Sequence, residues 1–224
     1  MSQNSLLKFD PECRACPRLS GFLDEISRKY PEYHARPVAP FGDSEARLLI
    51  VGLAPGMHGA NASGRPFTGD YAGILLYKTL YEFSFSNRSK SLAMDDGLEL
   101  FGCRITNAVK CLPPQNKPLL GEVKRCNRFL RAELDNLPRP SVVIALGKLA
   151  HDAVLRALDL RLASYPFGHG RSFRLADGKL LVDSYHCSRY NTQTRRLTGK
   201  MFADVFRRIR ETVDPHPSWS DTSR

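Results

Sequence analysis

Arg47-Leu-Leu-Ile-Val-Gly-Leu53 is a nearly unbroken apolar run that ends at glycine and passes directly into Ala54-Pro55-Gly56. A run this short and continuous marks a strand covered on both faces, because a half-exposed strand would alternate apolar with polar residues. Three later segments also read as strands. Arg104–Val109 reads as a second strand leading to the Pro113-Pro114 breaker, Ser141–Gly147 as a third, and Lys179–Ser184 as a fourth. Helical spacing fills the intervals: Gly73–Phe83, then Glu122–Leu137 with Cys126, Phe129, Leu130, Leu134 and Leu137 on one face, then Lys148–Leu158. A last helix is expected over Thr192–Val213, with Leu197, Met201, Val205 and Ile209 as its inner stripe beside Phe202 and Phe206. Strands alternating with helices predict an α/β fold around a largely parallel sheet.

The 224 residues suffice for one substantial core. The expected organisation is a single domain over residues 1–213 with a polar, proline-rich, disordered tail at 214–224. No apolar run is long enough to span a bilayer and the N-terminus has no signal-peptide pattern, so a soluble, cytoplasmic protein is expected. Lysine and arginine outnumber the acids 33 to 23, giving a formal charge of +10. That excess points to a polyanionic partner, most often nucleic acid, though solubility alone also favours charge. Arg195, Arg196, Lys200, Arg207, Arg208 and Arg210 on the outer face of the last helix form either a phosphate-facing surface or a solvated one.

Six cysteines divide into two classes. Cys13-x-x-Cys16, together with Cys111 and Cys126, makes a set of four thiols, the ligand complement of a structural zinc or a [4Fe–4S] cluster. Spacing does not choose between the two. Cys103 and Cys187 adjoin strand-like segments and read as buried core thiols.

Ligands of an open α/β sheet bind beyond the carboxyl ends of the strands. Three polar, glycine-rich segments fall there: Gly52–Asp70 after the first strand, Thr106-Asn107 at the end of the second, and His186-Cys-Ser-Arg-Tyr-Asn191 after the fourth. The first lacks the Gly-Lys-Ser/Thr ending of a P-loop, which disfavours nucleotide triphosphate hydrolysis.

The stretches Gly52-Leu-Ala-Pro-Gly-Met-His-Gly-Ala-Asn-Ala-Ser-Gly-Arg-Pro-Phe-Thr-Gly-Asp70, Ile105-Thr-Asn-Ala-Val-Lys-Cys-Leu-Pro-Pro114 and His186–Asn191 resemble the uracil-DNA glycosylase superfamily, specifically its family 5 (B-type) iron–sulfur branch. The similarity runs from Cys13 to the C-terminal helix. It implies an αβα sandwich around a four-stranded parallel sheet, a structural [4Fe–4S] cluster on Cys13, Cys16, Cys111 and Cys126, and hydrolysis of the N-glycosidic bond of uracil in DNA. A broader range of deaminated bases, such as hypoxanthine, is implied by the looser pocket of that branch. A monomer acting on the prokaryotic nucleoid is the expected setting.

The residues suit that chemistry. A base must leave the duplex before its glycosidic bond is reachable. Phe67 offers a stacking face, Asn107 an amide to read the base edge, and His186 a hydrogen bond to the departing anion. The backbone around Gly52, Pro55 and Gly56 and the carboxylate of Asp70 remain for the water and the sugar cation. Other branches carry an acidic or amide side chain early in the first motif, whereas Leu53–Met57 has none. Arg189, Tyr190 and Asn191 occupy the position from which related enzymes push a wedge into DNA. Phe67 as a core side chain, Asn107 as a strand-end cap, Asp70 as a plain helix cap and Tyr190 as a core aromatic are the competing assignments. A non-catalytic nucleic-acid-binding protein stapled by metal and a redox or iron sensor are the competing functions.

Overall fold

The computed structural model describes residues 9–213. Its sheet has six strands: β1 (Phe41–Gly42), β2 (Leu48–Gly52), β3 (Cys103–Asn107), β4 (Val142–Leu146), β5 (Ser172–Arg174) and β6 (Leu180–Ser184), ordered β1-β3-β2-β4-β6-β5. The four expected strands form the parallel centre, β3-β2-β4-β6. The expectation of a purely four-stranded sheet needs correction, because β1 and β5 add antiparallel pairings at the two edges. Neither edge strand had a legible signal. The first is two residues long, and the second presents mostly exposed side chains with no buried alternation.

Helices cover both faces, which is why β2 and β4 are buried along their whole lengths. On one face Leu49, Val51, Val143, Ala145 and Leu181 pack against α1 (Pro17–Lys29), α4 (Leu120–Asp135) and α5 (Lys148–Ala157). On the other, Leu48, Ile50, Val142, Ile144 and Val182 pack against α3 (Tyr71–Glu82) and α7 (Gly199–Val213). A short helix, α2 (Ala60–Ser63), interrupts the first loop. The inner face of α7 is Phe202, Val205, Phe206, Ile209 and Val213. Each such side chain, fully buried, contributes roughly 1.5–3 kcal/mol of transfer free energy.

The long terminal helix is two helices. α6 spans Arg189–Gln193, the chain turns through Arg195 with φ 55°, and α7 starts only at Gly199. Leu197 is buried as expected, but from the turn, where its N–H donates to Asn191 O at 3.0 Å. The basic residues of α7 have partners within the chain. Lys200 and Arg207 both pair with Asp204, and Arg210 lies half-buried over the Phe85 ring at 4.6 Å. The proposed tail, 214–224, falls outside the described residues. Among those residues no helix is long and apolar enough to cross a membrane.

Candidate active site

The carboxyl ends of β2, β3, β4 and β6 open into one cleft of about 590 Å³. Gly56, Phe67, Asp70, Asn107, His186, Arg189 and Asn191 all line it, so the three segments converge. Gly52 and Asn107 are register partners across β2 and β3. A Cβ at Gly52 would stand 2.4 Å from Asn107 Oδ1 and 2.8 Å from the Phe67 ring. The missing side chain at Gly52 is therefore what lets Asn107 and Phe67 close over the strand end.

Phe67 is buried and takes a left-handed φ of 58°. Its carbonyl presses on Gly73, where a Cβ would come within 1.8 Å. That turn presents the ring near-parallel to His186, with centroids 6.0 Å apart and planes at 29°. His186 is fixed through its backbone, its carbonyl accepting from Asn191 Nδ2 at 2.8 Å. Burial pushes its pKa down to about 4, so the imidazole is neutral at pH 7. Asn107 is buried, and its side-chain amide has no hydrogen-bond partner among the described residues. An unpaired amide facing a cleft is available to a ligand.

Asp70 stands at the N-cap position of α3 but makes no side-chain cap bond there. Its carboxylate turns the other way and accepts from Ala60 N–H at 3.4 Å. It nests against two glycines: a Cβ at Gly56 would lie 2.7 Å from its Oδ1, and one at Gly59 1.9 Å from its Cγ. Burial pushes its pKa up, opposed by the Ala60 N–H and by His58. The helix-cap assignment is thereby removed.

Three expectations shift. Pro55 is buried outside the cleft lining, and Gly52 acts from behind Asn107 rather than as part of the lining. Tyr190 is 71% exposed and lies off the cleft, so it is no core aromatic. Arg189 reaches over the Tyr71 ring at 5.9 Å. Gly147, Lys148, Phe167 and Tyr185 line the cleft as well, without having been expected there, and Arg196, expected on the basic face of the last helix, lies over the Tyr185 ring at 4.6 Å. Gly147–Lys148 follows β4, so the same strand-end rule applied to the third strand would have found it. Phe167 comes from an irregular connection with no periodic signal.

The four cysteines meet at a second place. Cys13 precedes α1, Cys16 is its N-cap residue, Cys111 follows β3 and Cys126 lies in α4. All four line one small cavity of about 20 Å³, with Lys110, Arg125 and Arg128. Burial pushes Cys111 up to about 12, with Cys126, Cys13 and Cys16 adding to the rise. Cys16 and Cys126 rise for the same leading reason. Donors nevertheless point at the sulfurs: Lys110 N–H to Cys126 Sγ at 3.3 Å and Arg128 Nη2 to Cys13 Sγ at 3.5 Å. Among the described residues, no three His, Cys, Asp or Glu side chains are gathered as a site for a metal ion. Cys103 and Cys187 are buried in the opposite core, as expected.

A doubly covered, largely parallel sheet with a polar cleft at its strand ends defines an α/β protein with a ligand-sized crevice, and comparison with known sequences specifies the class. The sequence profile of the Uracil DNA glycosylase superfamily matches residues 39–210. The chain is 46% identical over 210 residues to a Type-5 uracil-DNA glycosylase of Thermus thermophilus, covering 92% of this chain and 95% of that protein. It is 44% identical over 200 residues to a Type-5 uracil-DNA glycosylase of Pyrobaculum aerophilum, covering 88% and 87%. A Type-4 uracil-DNA glycosylase of Saccharolobus solfataricus is more distant, at 28% over 182 residues, covering 79% and 76%. The chain belongs to the uracil DNA glycosylase superfamily, in its type-5 branch.

Proposed function

We propose that this protein is a DNA repair glycosylase that hydrolyses the N-glycosidic bond of uracil in DNA and leaves an abasic site. One observation carries the reading: an unpartnered Asn107 amide, a neutral His186 imidazole and the Phe67 ring share one cleft with the Asp70 carboxylate. A flipped uracil stacks on Phe67, a contact worth roughly 1–3 kcal/mol. The Asn107 amide supplies one donor and one acceptor for the uracil edge. As the bond breaks, its electron pair goes to the base and C1′ of the sugar becomes cationic. The neutral His186 ring donates its N–H to the forming uracil anion. Asp70 holds the attacking water and faces the sugar cation, and the water supplies hydroxyl to C1′ and a proton to the released base.

The four-cysteine cavity supports a [4Fe–4S] cluster on Cys13, Cys16, Cys111 and Cys126. Buried thiols that raise each other's pKa stay protonated unless a cationic centre replaces their protons, and Lys110 N–H and Arg128 suit sulfurs that carry charge. Such a cluster supplies structure, tying the start of α1 to β3 and α4. Arg189, Tyr190 and Asn191 belong to the DNA-facing edge, with Tyr190 as the wedge that fills the space of the extruded base. The cleft leaves room for a larger deaminated base such as hypoxanthine. The enzyme acts as one copy, with residues 1–213 as its working unit.

The test is release of free base from a duplex carrying one uracil, opposite guanine or adenine, without added metal or nucleotide. Intact abasic product, no borohydride-trapped adduct and insensitivity to chelator are expected. Tight DNA binding without base release would establish a binding protein instead.

A further inference from the structure

His58 sits in the first loop, outside the cleft lining and exposed, yet its ring is fixed on several sides. Its Nδ1 shares a 2.8 Å hydrogen bond with the Tyr33 hydroxyl. The imidazole stands edge-on to both Tyr30 and Tyr33, each with centroids at 6.0 Å and with planes at 89° and 85°. Those two tyrosines stack on each other at 4.7 Å and 13°. Tyr30 is the C-cap residue of α1, and Tyr33 N–H donates to its carbonyl at 3.0 Å. An exposed loop histidine held this way acts as an anchor for its own backbone.

That backbone carries Asp70. The His58 carbonyl packs on Gly69, 3.2 Å from where a Cβ would be. The next residue, Gly59, touches the Asp70 carboxylate so closely that a Cβ there would stand 1.9 Å from both Cγ and Oδ1. Ala60, one residue further, donates the N–H that Asp70 accepts. Three consecutive residues thus form the seat of the carboxylate, and the first is the one the tyrosines hold. His58 also favours the ionised form of Asp70 electrostatically.

We propose that Tyr33 and His58 are a positioning pair that fixes the Gly59–Ala60 seat and so aims the Asp70 carboxylate into the cleft. The inference rests on the catalytic role of Asp70 proposed above. Neither residue touches the base site; both act through Asp70. The arrangement also makes α1, whose N-cap residue is Cys16, a mechanical connection from the cysteine cavity to the Asp70 loop.

The test uses single-turnover uracil release from duplex DNA by the full chain, with Tyr33→Phe and His58→Ala made alone and in an Asp70→Ala background. Tyr33→Phe keeps the ring stack and removes one hydroxyl, so folding should survive. The rate should fall about threefold in Tyr33→Phe and about tenfold in His58→Ala, with DNA affinity unchanged, the scale of one lost hydrogen bond at a positioned group. His58→Asn, which restores an acceptor near Nδ1, should recover part of the rate. Neither change should lower the residual rate of Asp70→Ala any further. The Asp70 carboxyl carbon resonance should also move in Tyr33→Phe, a readout independent of turnover. An equal fold-loss in the Asp70→Ala background, or an Asp70 resonance unmoved in Tyr33→Phe, overturns the pairing. Wild-type protein that releases no uracil counts against the glycosylase reading instead, and the Asp70 resonance still judges the pair.

Discussion

Replacing Asp70 separates a catalytic carboxylate from a structural one. A side chain capping α3 would lose about 1 kcal/mol on conversion to alanine, which for a domain of this size is about 2–4 °C in Tm. Asp70 makes no such bond; its partner is the Ala60 N–H at a long 3.4 Å. The carboxylate is instead half-buried, and burial raises its pKa. A carboxyl whose folded pKa lies above its unfolded value contributes stability only at low pH, and that contribution is lost as pH rises through the folded pKa. Ionised Asp70 therefore weighs against the fold at neutral pH. Asp70→Asn, which keeps the acceptor and drops the charge, should match or exceed wild-type Tm at pH 7, and the gain should vanish below the unfolded carboxyl pKa. Catalysis should move the opposite way, with single-turnover uracil release slowed about 10²–10⁴-fold, the range for a lost general base. Calorimetry at pH 7 and pH 3, beside rapid-quench base release, checks both arms. A near-wild-type rate in Asp70→Asn, or a loss of several degrees in Tm, would refute the assignment.

His186→Ala should slow base release with little change in DNA affinity, since its hydrogen bond forms mainly in the transition state; a loss confined to binding would contradict that. Nitrogen NMR of His186 should show a neutral ring until the pH falls towards about 4, and a titration near the ordinary value would contradict the burial argument. Gly52→Ala should cost activity out of proportion to its size, because the added methyl carbon meets Asn107 Oδ1 at 2.4 Å; steady-state kinetics on uracil duplexes checks it. Cys111→Ser should lose iron and thermal stability while Cys103→Ser and Cys187→Ser keep full iron, as measured by metal analysis and calorimetry. Tyr190→Ala should lose far more activity on duplex than on single-stranded DNA, where nothing needs extruding; equal losses would remove the wedge.

The parallel centre of the sheet was legible because burial on both faces forces a continuous apolar run, which β2 and β4 carry in full and β6 over Leu180–Val182. What was illegible was whatever lacked that constraint. β1 has too few residues for a pattern, and β5 shows mainly exposed side chains. The split of the last helix hid for a different reason. Leu197 continues the apolar spacing of α7 and is buried, so periodicity ran straight through the turn at Arg195. Period reports which side chains face inward, not whether the backbone between them stays helical.

The site divides along the same line. Asn107 and His186 were readable because strand ends place polar residues at a known crevice. Asp70 was ambiguous because the residue before a helix is a cap by default, and only the direction of its side chain decides otherwise. Glycines explain that direction. Gly56 and Gly59 leave space that any side chain would fill, and the carboxylate occupies it instead of turning back to α3. The same holds at Gly52, whose bare Cα lets Asn107 and Phe67 meet. In this loop the glycines fix the place of the Asp70 carboxylate by exclusion, so under the proposed role of Asp70 the Gly59→Ala change should act as a mild Asp70 variant. It should slow base release while leaving His186 and Asn107 in place, and it should add little to the loss already caused by Asp70→Ala. A full additional loss in the double variant would mean that Gly59 serves the loop's conformation and not the carboxylate.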